Sequence, residues 1–304
     1  MVYKEDCIYA MNYMGPPFIF GFKVMAKDIG LLSENGIDVF DGGHVFIGNN
    51  NVYLNSGQSV QPLLSDKLQS EMFDDMSGDN YFRSFVVADK LNTEMMIAWP
   101  SQDSRHCNRA ILWNWRTGTM GLRNLPDVDY ACEGVVSLGE GIDWDNPVND
   151  GPWDARTDRW GERDYWNVLQ ELVFTGYGDK KLYRNGTGNM ADTQMMTSMV
   201  ERTGYDLGDP GSVKFVRAVW PKISTYGDNE VDVYVCSQMS PDDAISWEGP
   251  YKFNPRTQSK VSCRVTGKYF GVKVEAAGDF EWRLHGYEFD TEQAGRRGIR
   301  NYAV

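Results

Sequence analysis

The sequence predicts an all-β fold, with a β-propeller-like body followed by a smaller β-sandwich or barrel domain. Three observations lead to this fold class. Short runs of aromatic and β-branched residues recur along the 304 residues, 31 glycines punctuate them, and segments with helical periodicity are scarce. Pairs of apolar runs around a Gly- or Asn-rich turn are interpreted as antiparallel strands.

The first part of the chain contains one isolated strand and four predicted hairpins. The isolated strand begins at Cys7 and is ended by Gly15-Pro16-Pro17. The hairpins pair 45–47 with 52–54, 85–87 with 94–99, 110–115 with 119–122, and 169–175 with 181–183. A hydrophobic residue followed by tyrosine recurs weakly in these strands, and a repeated hairpin that ends in an aromatic residue is typical of propeller blades. Its spacing is irregular, and chance hairpins in β-proteins look similar. The propeller-like body is expected to be incomplete.

Helix is predicted at two places only. Leu64, Leu68, Met72 and Phe73 recur at helical spacing, which predicts a helix over 62–76 with its start near Ser65. A weaker, methionine-rich pattern predicts a second helix over 191–200.

After about residue 200, the sequence pattern changes to predicted strands at nearly regular spacing. Five strands are predicted, at 213–219, 230–236, 260–265, 269–275 and 282–289, and such spacing is typical of a small sandwich or barrel. The domain border is therefore placed so that 1–195 form the propeller-like body and 196–304 the sandwich-like domain. The second domain ends in a basic tail with Arg296, Arg297 and Arg300, which is expected to dock on an acidic neighbouring subunit or another anionic surface.

Composition excludes several classes of protein. With 30 Lys and Arg against 43 Asp and Glu, the formal charge is −13, which disfavours a protein that grips nucleic-acid phosphates. Hydrophobic residues at 41% and aromatic residues at 13% are too many for a disordered chain. The sequence has no apolar run long enough for a membrane helix and no visible signal peptide. We expect a soluble globular protein folded in a cytosolic compartment.

No catalytic, cofactor-binding or metal-binding residues are predicted. The five cysteines have no metal-ligand spacing and are expected to be reduced and structural, and the three histidines are far apart. Asp143 and Asp145 lie near tryptophans, as do Glu162 and Asp164, so the composition permits a glycosidase. A solvated acidic loop explains the same residues. Since no nucleophile or phosphate-binding motif is present, we predict a protein that is not an enzyme.

A set of segments, taken in order, resembles the tail nozzle or hub proteins of short-tailed bacteriophages, the group that includes packaged-DNA stabilisation proteins. The C-terminal segments are 201–208, 219–222, 233–241, 267–274, 282–290 and 295–297, and the upstream ones are 28–31, 41–48 and 110–115. Each is a strand or turn pattern, and their order is the specific part. The resemblance covers nearly the whole chain, although members of this family are usually longer.

The resemblance implies a structural role in a virion, with no enzymatic activity and no cofactor. Such proteins form a ring, typically a hexamer, that encloses the DNA channel at the distal end of the tail and gates DNA ejection. The implied partners are further copies of the chain, other tail proteins such as an adaptor and a fibre or needle, and genomic DNA that passes without sequence-specific binding. Folding in the host cytoplasm would precede assembly into the tail, without membrane insertion.

A second function fits the same composition. A carbohydrate-binding β-propeller or lectin-like receptor-binding protein would also be rich in strands and in aromatic residues. Exposed tryptophan beside Asp or Asn would favour this alternative, because sugar rings stack on indole faces.

Overall fold

The computed structural model describes residues 1–135, 170–177, 181–186, 188–191 and 194–295. Strands make up 58% of the structure, and these residues contain one α-helix. The strands form several sheets, one of which is curled into a half-barrel. The predicted all-β class is confirmed, while the propeller stays a prediction.

The chain divides into two compact units, Met1–Asn185 and Gly186–Val304. The described part of the first unit contains three antiparallel sheets, with strand orders β1-β2-β3, β4-β5-β6-β7 and β13-β12-β11-β10-β9-β8. Their strands are β1 Val2–Tyr3, β2 Cys7–Tyr13, β3 Phe20–Lys27, β4 Ile37–Phe40, β5 Gly43–Ile47, β6 Val52–Asn55, β7 Val60–Pro62, β8 Phe85–Asp89, β9 Glu94–Trp99, β10 Cys107–Asn114, β11 Met120–Val135, β12 Gln170–Gly176 and β13 Leu182–Arg184.

The four predicted hairpins are confirmed. They correspond to β5 with β6, β8 with β9, β10 with β11, and β12 with β13. In each of them the apolar runs face one another across a short turn, so the local pattern was sufficient to identify both strands.

Two hydrophobic clusters bury the two faces of the six-stranded sheet. On one face, Val86, Ile97 and Ile111 pack with Val45 and other residues of the four-stranded sheet. On the other face, every buried residue comes from the six-stranded sheet itself, and β11 also touches β8. A sheet that covers its own face in this way is curled, and this explains its near-continuous apolar strands.

The single described α-helix, α1, runs Asp66–Asp75 and lies within the predicted range of 62–76. Ser65 occupies the N-cap position with an extended backbone, and Pro62 belongs to β7 instead. Met72 is fully buried in the core shared by the two larger sheets. Three residues separate the helix from the last strand of the four-stranded sheet, and the helix covers part of the core.

Among the described residues, the packing contacts of the three-stranded sheet lie at its base. Ile8 is fully buried against Phe46 and Tyr53 of the four-stranded sheet, with Ala26 and Leu31 packed around them. Gly30 lies so close to the turn between β1 and β2 that a Cβ there would overlap the carbonyl group of Glu5. These contacts fix the root of the β2–β3 hairpin, and the rest of the hairpin extends beyond them.

The second unit contains two larger antiparallel sheets, of order β16-β21-β18-β19 and β20-β17-β22, and a small β14-β15 pair. Both larger sheets contribute to one hydrophobic core that includes Val216, Val233, Phe253, Val265 and Phe270. The strands are β14 Met190–Ala191, β15 Gln194–Met195, β16 Thr197–Tyr205, β17 Val213–Thr225, β18 Val231–Gln238, β19 Trp247–Phe253, β20 Val261–Gly267, β21 Tyr269–Ala277 and β22 Trp282–Gly295.

The second predicted helix is wrong. The described residues between 190 and 205 form β14, β15 and β16, and β16 pairs along its length with β21. Most side chains of β16 are exposed, including Met199 and Val200. Because both faces of this edge strand carry apolar and polar residues, its sequence lacks the alternation that would have indicated a strand.

Substitution of Gly30 tests whether the hairpin root is as close-packed as described. We expect Gly30→Ala to destabilise the protein by about 1–3 kcal/mol, since the new methyl group would overlap the backbone of Glu5. Gly121→Ala is the matched control, because no atom lies within 4 Å of its added Cβ. It is expected to be neutral or to stabilise by up to about 1 kcal/mol. Urea unfolding followed by circular dichroism measures both, and equal midpoints would contradict the packing.

Candidate functional site

Several residues considered from the sequence lie outside the described residues. These are the acidic residues Asp143, Asp145, Glu162 and Asp164 with their neighbouring tryptophans, and the basic tail with Arg296, Arg297 and Arg300. Three features stand out in the described part of the chain: two polar clusters and one exposed apolar face.

The first polar cluster surrounds His106, which is 6% exposed and directly precedes β10. Its Nδ1 lies 2.6 Å from Oδ1 of Asp129 on β11. Nη1 of Arg83 donates to the same oxygen over 3.3 Å. The ring of Tyr177 stacks on the imidazole, with ring centroids 3.8 Å apart. A histidine between a carboxylate and an aromatic ring is an arrangement that can orient a base.

The remaining contacts of this cluster do not complete a nucleophilic site. The Ser104 hydroxyl donates to the carbonyl oxygen of His106 over 2.8 Å and so does not face the imidazole nitrogens. The Cys107 thiol donates to the carbonyl oxygen of Arg83, and burial raises the pKa of this thiol to about 12. A thiol that stays protonated at neutral pH is a poor nucleophile. We interpret the cluster as a structural hydrogen-bond network that links the start of β10, β11 and the segment before β8.

The second polar cluster lies at the turn between β8 and β9. The carboxylate of Asp89, which is 4% exposed, accepts hydrogen bonds from Asn92 and from Nδ2 of Asn185 over 3.0 Å. Arg123 donates to Asn185 over 2.6 Å. Burial lowers the pKa of Arg123, and the charges of Glu94 and Asp89 oppose that shift. This network joins β8, β11 and the end of β13, so its polar groups satisfy one another.

The third feature is an apolar face on the β2–β3 hairpin. Register places Tyr9 opposite Val24, Met11 opposite Phe22 and Tyr13 opposite Phe20, so these six side chains share one side of the sheet, here called the outer face. Ile8 points to the opposite side, into the core, because successive side chains of a strand alternate. The outer face is therefore turned away from the first unit's own core.

The outer face and the hairpin tip are largely exposed. Tyr13 is 72% exposed and Phe22 62% exposed, and in the tip Phe18 is 73% exposed. Met11, Met14, Ile19, Phe20 and Val24 also have large exposed surfaces. On the other side of the same strands lie Ala10, Asn12, Gly21 and Lys23. Contiguous apolar area of this kind marks an interaction surface more often than a free protein surface.

Among the described residues, no group of three or more His, Cys, Asp or Glu side chains could hold a metal ion. The described helix is too short and too polar to cross a membrane.

Tryptophan exposure bears on the carbohydrate-binding alternative. Trp220 is 39% exposed, which is the largest exposed fraction among the described tryptophans. It lies between Val219 and Pro221, opposite Glu288, with the Lys260 ammonium 5.6 Å from its ring. A sugar-stacking role therefore has one candidate residue in this part of the chain.

Comparison with known proteins gives no further assignment. No protein-family model matches the chain, and a search of curated proteins found no significant match. The function must therefore be argued from the residues and their geometry.

Cysteine reactivity tests the interpretation of the His106 cluster. Burial raises the pKa of Cys107 to about 12 and the pKa values of Cys236 and Cys263 to about 11. Cys132 is exposed. We expect iodoacetamide at mildly alkaline pH to modify Cys132 in the native protein and the three buried thiols only after unfolding, as measured by peptide mass spectrometry. Modification of native Cys107 as fast as Cys132 would contradict a closed cluster.

Glu94 gives the second polar cluster a pH dependence. Burial, and then the charge of Asp89, raise the pKa of Glu94 above its ordinary 4.5. The folded state therefore holds this proton more tightly than the unfolded state, and stability falls as the pH rises from 4.5 through the raised value. We expect Glu94→Gln to raise the urea midpoint at neutral pH.

The gain from Glu94→Gln should disappear below about pH 4, where the carboxyl group is protonated in both states. Glu34→Gln, at an exposed position, controls for the loss of one negative charge. A difference between wild type and Glu94→Gln that is the same at neutral and acidic pH would refute the role of this carboxylate.

Proposed function

We propose that this chain is a structural subunit of a bacteriophage tail, forming a ring at the tail nozzle or hub that encloses and gates the DNA channel. The observation that carries the proposal is the exposed apolar outer face on a strongly acidic all-β chain. An isolated enzyme or binding protein has little use for such a face, whereas a subunit of an assembly buries it.

The ordered resemblance of nearly the whole chain to tail nozzle and hub proteins supplies the kind of assembly. In this proposal the subunit acts in the virion tail after folding in the host cytoplasm. It contacts further copies of itself, six in a ring by analogy with that family, and adjoining tail proteins such as an adaptor and a fibre or needle. It uses no cofactor, catalyses no reaction and inserts into no membrane.

The charge of the chain fits a channel through which DNA must move. A formal charge of −13 repels phosphate at long range, so DNA would pass without being held and without sequence-specific contacts. The mechanism is conformational: loops at the narrow end close the channel until the virus meets its host.

The two structural units correspond in this proposal to a body and an end domain. Residues 1–195 would form the propeller-like body, and the three antiparallel sheets of the first unit support this by supplying repeated hairpins. Residues 196–304 would form the sandwich-like domain with its basic tail, which is supported by two sheets that share one hydrophobic core.

Imaging of the purified full-length chain tests the proposed function. We expect a particle several times the 304-residue subunit in mass, seen by negative-stain electron microscopy as a ring with a central hole. Short double-stranded DNA should not be retained at physiological salt, and a glycan array should give no signal.

The carbohydrate-binding alternative predicts a different set of results. A monomer that binds a defined glycan, and loses that binding in Trp220→Ala, would overturn the tail assignment. His285→Ala, which removes another exposed ring of the second unit, controls for a general effect of aromatic loss.

A further inference from the structure

We infer that the outer face of the β2–β3 hairpin is the surface on which a second copy of this chain docks. The inference rests on the proposed function and deepens it, because it names the segment through which one ring subunit holds the next. Four observations support it: the side of the sheet on which the face lies, its area, its one-sidedness and its charge.

The side of the sheet excludes the hairpin's own core as the cover. Ile8 is fully buried and faces the four-stranded sheet. Tyr9, Met11 and Tyr13 lie on the opposite side of the same strand and therefore face away from that core. A register shift between Ile8 and Tyr9 in the β2–β3 pairing marks the end of the anchored base. Beyond this point the apolar side chains have no described partner layer on the outer side.

The area of the face matches a protein interface. Taking about 150–250 Å² for a large apolar side chain, the outer face and the tip residues Met14, Phe18 and Ile19 together expose roughly 900 Å². Part of this area lies on the other side of the hairpin, because the Met14 side chain lies over Gly21. The largest apolar patch on an ordinary monomer is about 300–600 Å². A standard protein–protein interface buries about 800 Å² on each partner. The hairpin alone could therefore supply one side of a stable contact.

The shape of the apolar surface favours a protein over a lipid bilayer. Along the paired strands the outer side is apolar, whereas Ala10, Asn12, Gly21 and Lys23 lie on the opposite side. At the tip, the Met14 side chain also lies on that opposite side, over Gly21. A docked protein covers one side and leaves the other in water. A bilayer entered tip-first would surround both sides, including the amide of Asn12 and the ammonium group of Lys23, and burying such groups is costly.

Charge selects a second copy as the partner. Residues 7–27 contain two lysines, Lys23 and Lys27, and no Asp or Glu, so the hairpin carries +2. The remaining residues carry 28 basic against 43 acidic side chains, which is −15. Each copy therefore offers a cationic hairpin and an acidic body. Lys23 lies on the side away from the outer face and Lys27 lies opposite Cys7 at the base of the hairpin, so their attraction for an acidic surface acts at long range. Hairpin against hairpin would bring like charges together, whereas hairpin against body brings opposite charges together.

Such a contact is head-to-tail, because two different surfaces meet. A head-to-tail contact repeated by rotation closes into a ring when the rotation returns to the first subunit, and otherwise gives an open filament. The hairpin geometry thus suits the ring of the proposed function better than a two-fold dimer.

Sedimentation of the full-length chain over a wide concentration range tests the inference. The test variant is Phe20→Ser with Phe22→Ser, since both side chains are more than half exposed. We expect its association to weaken about a hundredfold or more, because aromatic residues at the centre of an interface carry much of its affinity. The control is Phe82→Ser with Tyr226→Ser, which removes two exposed aromatic rings elsewhere and should assemble like the wild type.

A charge-reversed variant keeps the test decisive if the serine variant folds poorly. Lys23→Glu with Lys27→Glu leaves the apolar face intact and should weaken association, with an effect that shrinks as salt is added. Circular dichroism checks the folding of all variants. Flotation with vesicles of phosphatidylcholine and phosphatidylglycerol tests the bilayer as an alternative partner.

Each result decides for or against the inference. Loss of assembly in the test variant, with the control unaffected, supports it. A wild type that stays monomeric, a test variant that assembles normally, or vesicle binding that depends on Phe20 and Phe22 overturns it.

Imaging separates this inference from the proposed function. A ring that survives both hairpin variants would leave the tail proposal standing and remove the hairpin from it. A hairpin-dependent dimer that never closes into a ring would do the reverse.

Discussion

The alternation of side chains along a strand is the constraint on which the first unit depends. Each sheet there has apolar residues on both faces, so each face needs a cover. The four-stranded sheet places Val45 and Ile47 on the six-stranded sheet, and Phe46 under the root of the hairpin. The six-stranded sheet covers its second face by curling. The outer face of the hairpin is the one apolar face of these three sheets for which the described residues offer no cover.

The polar clusters follow from the same constraint. Hydrophobic layers leave few places for charged groups, and those present are paired: Asp129 with His106 and Arg83, Asp89 with asparagines. Most of these buried groups satisfy one another and stabilise the junctions between strands. Two atoms of the His106 cluster, His106 Nε2 and Arg83 Nε, are buried without a hydrogen-bond partner among the described residues. Apart from these clusters, the main feature of the described residues is exposed apolar surface, and the hairpin carries the most of it. The proposal of an assembly subunit rests on this surface.

Local features could be predicted from the sequence. Features that depend on which element packs against a face of a sheet could not. Hairpins such as β8–β9 were predicted because both strands and their turn lie within a few residues. β3 was missed because Pro16-Pro17 indicates the end of a strand and Gly21 interrupts the apolar run. β19 was missed because Pro250 is unusual within a strand. β19 lies at a sheet edge, where proline is tolerated. β16 was taken for a helix. An acid-free stretch from Cys7 to Lys27 was a visible signal for the hairpin, but exposure of its outer face requires the packing.

Hydroxyl-radical footprinting of the full-length chain, below and above its association concentration, tests the central claim most directly. It reports the exposure of individual side chains without changing the sequence. The account predicts strong modification of Tyr13, Phe20 and Phe22 in dilute protein and marked protection in concentrated protein, with Tyr226 modified equally in both. Protection of the three residues already in the dilute monomer, or equal modification at both concentrations, would contradict it.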